Sequence, residues 1–304
     1  MIITHNIRLS RIIQGTGRNM IYSIAICVLA YILNETLIRK HFEFPVFVTS
    51  LIGTALAFFI GFNSNQAYDR WWEARKIWGA LVNDSRTWAR MILSYPVSSA
   101  AGHAISTAQI QERLIFRHLA FLYALKSHLR KNDDNIFREY LTEAENQQIK
   151  AQSNVHNAIL SLQADDIQKL YHNGVIDGFK FLEFNKTITS FCDEMGKSER
   201  IRNTVFPTTY VYYSRIFIWY LIFSTTVTLS NTLGLWALVF GTLVGYIFLT
   251  IHMIGQALIN PFDPVPTGIP LDQITRTIEI NMLQMKGADH IPPPIESVNG
   301  EYLM

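Results

Sequence analysis

Four long apolar runs, two near each end of the chain, bracket one long polar stretch, and this pattern sets the plan of the 304 residues. The first run, residues 20–38 (MIYSIAICVLAYILNETLI), is too long for a signal-peptide core, and no small-residue cleavage site follows it. It is predicted to be a membrane-spanning helix with Asn34 and Glu35 near the interface. A short connection, residues 39–43, leads into the second run, residues 45–62, which continues as NSNQAYDRWW with no glycine or proline to stop it. One helix is therefore predicted to cross hydrocarbon and emerge into water. Along it Thr54, Phe58 and Phe62 recur every fourth residue and share one helical face. The third run, residues 205–230 with Pro207 near its start, and the fourth, residues 233–259, are separated only by Asn231 and Thr232, which predicts an antiparallel helical hairpin in the membrane.

Residues 63–204 contain no further spanning segment and read as helices divided by polar breaks. Helical stretches are predicted over 70–93, 108–129 and 176–200, the second with a wide apolar face. Residues 132–134 form a loop that caps the helix after them, and Asp165 and Asp166 cap a short helix ending near Asn173 and Gly174. Alternating strand patterns are scarce, so the chain is predicted to be all-α. At the N-terminus residues 1–19 are polar and basic, with Arg8, Arg11 and Arg18, and Gly15 and Gly17 predict a break before the first span. At the other end residues 260–270 are proline-rich and extended or turning, 271–284 are helical with Asp272 near the positive end, and 286–304 form an extended tail.

The resulting plan is an arm (1–19), two spans (20–62), a helical cytosolic domain (63–204), two more spans (205–259) and a cytosolic C-terminal segment (260–304). Four spans put both termini on one side. The three arginines of the arm, against no Lys or Arg between the last two spans, place that side in the cytoplasm. Arg39 and Lys40 in the first hairpin loop are a weak counter-signal.

Composition sharpens the membrane reading. Charged residues make up 16% of the chain, against about 25% in soluble domains, and mean hydropathy is +0.14. A net charge of +2 with no dense basic stripe argues against a nucleic-acid partner. Cys27 and Cys192 lie in unlike surroundings and are not expected to pair; no CxxC or Cys/His cluster suggests zinc. His118 and His128 share a predicted helix but lie ten residues apart, which is not metal-ligand spacing. There is no GxSxG, HExxH, phosphate-binding loop or dinucleotide fingerprint, so neither an enzyme nor a cofactor is expected. Arg215 and His252 fall inside apolar runs, where an ionisable group is a functional candidate, although Arg215 can snorkel to an interface.

The pieces GF at 61–62, RWWEARKIWG at 70–79, RIRNTVFP at 200–207, INPF at 259–262 and IPLDQITRTIEIN at 269–281 stand in order across most of the chain. In these the sequence resembles the bestrophin-type channels, the bacterial branch in particular. The resemblance implies a homopentamer around a central pore, four membrane helices and a large cytosolic part. It also implies passive conduction of small inorganic ions, by family default chloride, with cations favoured by some bacterial relatives.

The resemblance further implies site residues. A narrow membrane neck carries over to Thr54, Phe58 and Phe62, Thr54 standing where an aliphatic residue is usual. Apolar rings close a pore by dewetting, and the positive edge of a phenyl ring can face an anion; the Thr54 level should be wetter. A cytosolic aperture carries over to Phe206, held extended by Pro207. Asn63, Ser64, Asn65, Gln66 and Arg70 are candidates for a vestibule below the neck. The plainer readings are that the phenylalanines pack between helices or face lipid, that Phe206 packs locally, and that Trp71 and Trp72 anchor an interface while Arg70 pairs with a carboxylate. After INPF only Asp263 is acidic, so the calcium clasp of animal members is not expected. A non-conducting membrane scaffold or sensor is the rival class.

Overall fold

A computed structural model describes residues 9–95 and 107–303, with side chains described for 15–95 and 108–303. Arg8, the side chain of Arg11, and Met304 lie outside the described residues. The described chain is all-helical, with one isolated bridge pair, Val298 with Tyr302, in the C-terminal tail. It divides into two compact units.

The apolar unit comprises Thr4–Trp71 and Val205–Asn260. It holds α1 (Leu9–Leu33), which continues through a π-helical segment (Asn34–Ile38) into the short α2 (Arg39–His41). It also holds the first part of α3 (Val46–Ser94), then α8 (Thr208–Leu233) and α9 (Trp236–Ala257). Among the described residues four helical stretches are long and apolar enough to cross a membrane: Gly15–His41, Val46–Ser94, Thr208–Leu233 and Trp236–Ala257. The chain is a membrane protein.

The structure departs from the sequence pattern at two places in this unit. Gly15 and Gly17 do not break the chain; α1 runs through both. An isolated glycine costs a helix only about 1 kcal/mol, and a helix leading into a span keeps its backbone groups bonded internally. The hairpin turn is not Asn231–Thr232 but Gly234–Leu235, because Gly234 takes φ +56, a conformation open to glycine alone at little cost. A two-residue connection still forces α8 and α9 antiparallel.

Packing within this unit uses small residues. Cys27, Leu56, Ile60, Ile218, Leu221, Ile222 and Leu249 form one buried cluster. Gly241 and Gly245, one turn apart on α9, sit so close to their neighbours that a Cβ would meet Thr226 Oγ1 at 2.2 Å and Ser23 Oγ at 2.7 Å. Lipid tails are as apolar as the side chains they would replace, so close van der Waals approach and hydrogen bonds hold such helices together. Accordingly Asn34 is fully buried, its amide donating to Ser230 Oγ (2.6 Å) and Asn231 Oδ1 (2.9 Å), and the Thr49 and Thr228 hydroxyls pair at 3.2 Å. Glu35 is exposed, 3.6 Å from Arg39.

The polar unit comprises Trp72–Thr204 and Pro261–Met304. It contains the rest of α3, α4 (Thr107–Arg130), a 3-10 segment (Ile136–Tyr140), α5 (Glu143–Lys150), α6 (Val155–His172), α7 (Gly178–Asn203) and α10 (Leu271–Lys286). Trp88 is buried at its centre, edge-on to Phe184 and Phe191 with centroids 5.3 and 5.7 Å away. His118 is fully buried beside it, Nε2 2.9 Å from Ser85 Oγ and its ring 4.5 Å from that of Phe191.

Asp165 and Asp166 do not cap a helix; both lie inside α6, whose cap is Asn154, its side chain accepting from Asn157 N. Asp166 is buried because Arg117 Nη1 (2.6 Å) and Arg113 Nε (2.8 Å) bind its carboxylate, and the same Arg117 binds Glu145. A buried carboxylate needs such partners. Nor do residues 132–134 cap the next element: Asn135 precedes the 3-10 segment and makes no side-chain cap bond. Asp272, in the first turn of α10, binds Lys126 (3.0 Å) and Arg130. Gly287, with φ +76, ends α10.

Candidate pore-lining face

The first half of α3 has two faces of opposite character. Leu56 and Ile60 belong to the buried cluster, and Asn63 and Ala67 continue that face at 8% and 1% exposure. At about 100° per residue, Phe58 stands roughly opposite Leu56 and Phe62 opposite Ile60. Phe58 is 79% exposed and Phe62 55%. Thr54 is exposed above them, Phe47 and Leu51 lie further toward the helix start, and Asn65, Gln66 and Asp69 continue the exposed side beyond Phe62. Thr54, Phe58 and Phe62 thus form three levels about 6 Å apart along the helix. They point away from the subunit's own core.

Among the vestibule candidates, Asn65 and Gln66 share this exposed side. Asn63 is turned into the protein, Ser64 is half-buried against Gly255 of α9, and Arg70 is half-buried. That Thr54, Phe58 and Phe62 share one face was legible from spacing, but its exposure was not; the burial of Asn63 follows from its place seven residues after Leu56, which returns it to the packed face.

The Thr54 hydroxyl donates to the Ser50 carbonyl at 3.0 Å, and Ser50 donates likewise to Val46 at 3.1 Å. Each hydroxyl proton is committed to the preceding turn, as is common for such residues in helices. What Thr54 offers outward is oxygen lone pairs and a methyl group.

Between α7 and α8 the chain is extended. Thr204 has φ −77 and ψ 111, and Pro207 stands at the start of α8. Phe206 lies in this short linker and is half-buried, whereas Val205 is 76% exposed. Val205 has no proline directly after it to single it out in the sequence, as Pro207 does for Phe206. Tyr210, one turn into α8, stacks on Phe59 with centroids 5.2 Å apart. Of the ionisable groups in the spans, His252 is buried and contacts Gln256, while Arg215 is exposed.

After the last span, Asp263 Oδ1 accepts from Arg202 Nη1 at 3.4 Å. The loop closes on itself: Val265 N donates to Asp263 O, Gly268 N to Val265 O, and Ile269 N to Pro261 O, each at 2.8 Å. A Cβ at Gly268 would meet Asp263 O at 2.3 Å. The carboxylate is engaged by an arginine and the carbonyls by the loop's own amides.

Known proteins are similar to this chain over nearly its whole length. The voltage-dependent anion channel-forming protein YneE of Escherichia coli (strain K12) is 26% identical over 96% of this chain and 92% of its own. A voltage-dependent anion channel-forming protein of Synechocystis is 30% identical over 88% of each chain. A crystal structure of a bacterial bestrophin homologue from Klebsiella pneumoniae, 25% identical, superposes with a TM-score of 0.81 over 90% of this chain and 98% of that one. These relatives are channel proteins, not enzymes. Residues 3–284 match the family described as Bacterial/Fungal Bestrophin protein, and the chain belongs to that family.

Proposed function

We propose that this protein is an anion channel of the bestrophin type, assembled as a homopentamer in the inner membrane with both termini in the cytoplasm. The observation that carries the reading is the outward face of α3, where Thr54, Phe58 and Phe62 stand exposed opposite the packed face and give way to Asn65 and Gln66. Five copies of that face around an axis make a narrow apolar neck opening into a polar vestibule, with Arg70 at its edge. The phenyl rings exclude water when the neck is narrow and present their positive edges to an anion when it widens. The Thr54 level is the more polar one through its oxygen, not through a free proton. Phe206 and Val205, in the extended linker, form the lower aperture. The names of the E. coli and Synechocystis relatives support anions over cations.

Purified protein in a planar bilayer under a potassium chloride gradient tests this. The current is expected to reverse near the chloride equilibrium potential. No conductance from a well-folded oligomer overturns the channel reading and leaves the scaffold. Reversal near the potassium potential selects the second reading, a cation-permeable channel of the same fold, which Asp69 on the exposed side of α3 would favour.

A further inference from the structure

The helices of the polar unit bring together three ligating side chains that are far apart in sequence. His128 is in the last turn of α4, His156 in the first turn of α6 and Glu199 in the last turns of α7. One ligand atom from each lies within 4.8 Å of the other two. His156 Nε2 is 2.7 Å from Glu199 Oε1, and the two imidazole rings are 4.8 Å apart at 50°. His156 is buried, Glu199 half-buried and His128 exposed.

We infer that His128, His156 and Glu199 form a binding site for a divalent transition-metal ion of the zinc type. Two imidazole nitrogens and one carboxylate oxygen suit zinc, cobalt or nickel, whereas calcium and magnesium take oxygen ligands. At about 2.0–2.1 Å from a tetrahedral ion, two ligand atoms stand roughly 3.3 Å apart. The His156–Glu199 pair has only to open slightly, and exposed His128 has room to swing inward. An ion bound at Nε2 requires the neutral tautomer of His156 that carries its ring proton on Nδ1.

Two further features suit the site to an ion. Asn154, fixed as the cap of α6, donates Nδ2 to Glu199 Oε1 at 3.0 Å and orients the carboxylate. His128 and His156 line a cavity of about 460 Å³, into which Lys131, Arg138, Arg202 and Asp133 also project. Three protein ligands leave one coordination position open, and this mostly basic cavity suits it to water or a small anion. The site belongs wholly to the polar unit and does not depend on conduction.

The test is titration of the full-length, tag-free protein in detergent with zinc, followed calorimetrically, and with cobalt(II), followed by its visible absorption. One ion per chain is expected, with the intense cobalt bands of tetrahedral geometry. His128→Ala removes an exposed side chain, so the fold is retained, and it should abolish those bands; Glu199→Gln should do the same. Asn154→Ala should weaken binding by about 10–100-fold. Absence of saturable binding to the wild type overturns the proposal, and so does binding that His128→Ala and Glu199→Gln leave unchanged.

Discussion

Gly255 of α9 faces Ser64 of α3 so closely that a methyl group at Gly255 would lie 2.6 Å from the Ser64 hydroxyl and 3.3 Å from its Cα. Ser64 follows the proposed neck residue Phe62 by two positions, and the backbone contact leaves little room to adjust. Gly255→Ala is therefore expected to destabilise the protein by about 1–3 kcal/mol, as overpacking does. Thermal unfolding of the purified protein measures this. Gly196→Ala on α7 is the control: a Cβ there meets nothing within 4 Å, so the higher helix propensity of alanine should leave stability unchanged or raise it by about 0.5–1 kcal/mol.

The exposed phenylalanines predict how conduction responds to side-chain size. Phe58→Ala and Phe62→Ala should each raise single-channel conductance by removing an apolar ring from the neck. Thr54→Val, which keeps the shape and removes the oxygen, should lower it. Phe206→Ala should widen the lower aperture and alter conductance or relative permeability. If both stay unchanged, Phe206 leaves the aperture and the more exposed Val205 is the residue to test.

His118 predicts a pH dependence of stability. Burial against Trp88, Phe121 and Phe191 pushes its pKa from 6.5 down to about 3. The unfolded chain therefore takes up a proton near pH 6.5 that the folded chain refuses. The stability is fully present above pH 6.5 and is lost as the pH falls toward 3, at about 1.4 kcal/mol per pH unit for one proton. Unfolding midpoints measured from pH 7.5 to 4.5 should fall accordingly, and His118→Gln should flatten that part of the curve. Further loss should follow at lower pH. Burial alone would raise the pKa of Asp272, but Arg130 and Lys126 outweigh it and hold the carboxylate below its usual range. Its contribution is present above about pH 4 and disappears as the pH drops through that lowered value.

Calcium is expected to play no part through the loop after the last span. Asp263 is engaged by Arg202, and the backbone amides of 265, 268 and 269 occupy the loop carbonyls. Chelating calcium should leave currents unaltered. A reversible loss of current on chelation would show that residues 263–268 do hold the ion.

The sequence by itself determined the membrane architecture, because hydrocarbon permits few solutions. A run of about 20 apolar residues must form a helix that satisfies its own backbone, so four spans and an all-helical chain were legible from composition along the sequence. Helical periodicity likewise placed Thr54, Phe58 and Phe62 on a common face. Which way that face points was beyond periodicity; the packing of Leu56 and Ile60 against α8 and α9 decided it, and the same packing turned Asn63 inward. Local signals also misled where long-range partners outweighed them. Asp166 has the chemistry of a helix cap, yet two arginines on α4 hold it inside α6. Gly15 and Gly17 have the chemistry of a break, yet the cost of a glycine is small beside the demand for a bonded backbone. Tertiary structure alone brought His128, His156 and Glu199 together. Their separations of 28 and 43 residues carry no local pattern, because the geometry of a binding site belongs to helix packing and not to spacing along one helix.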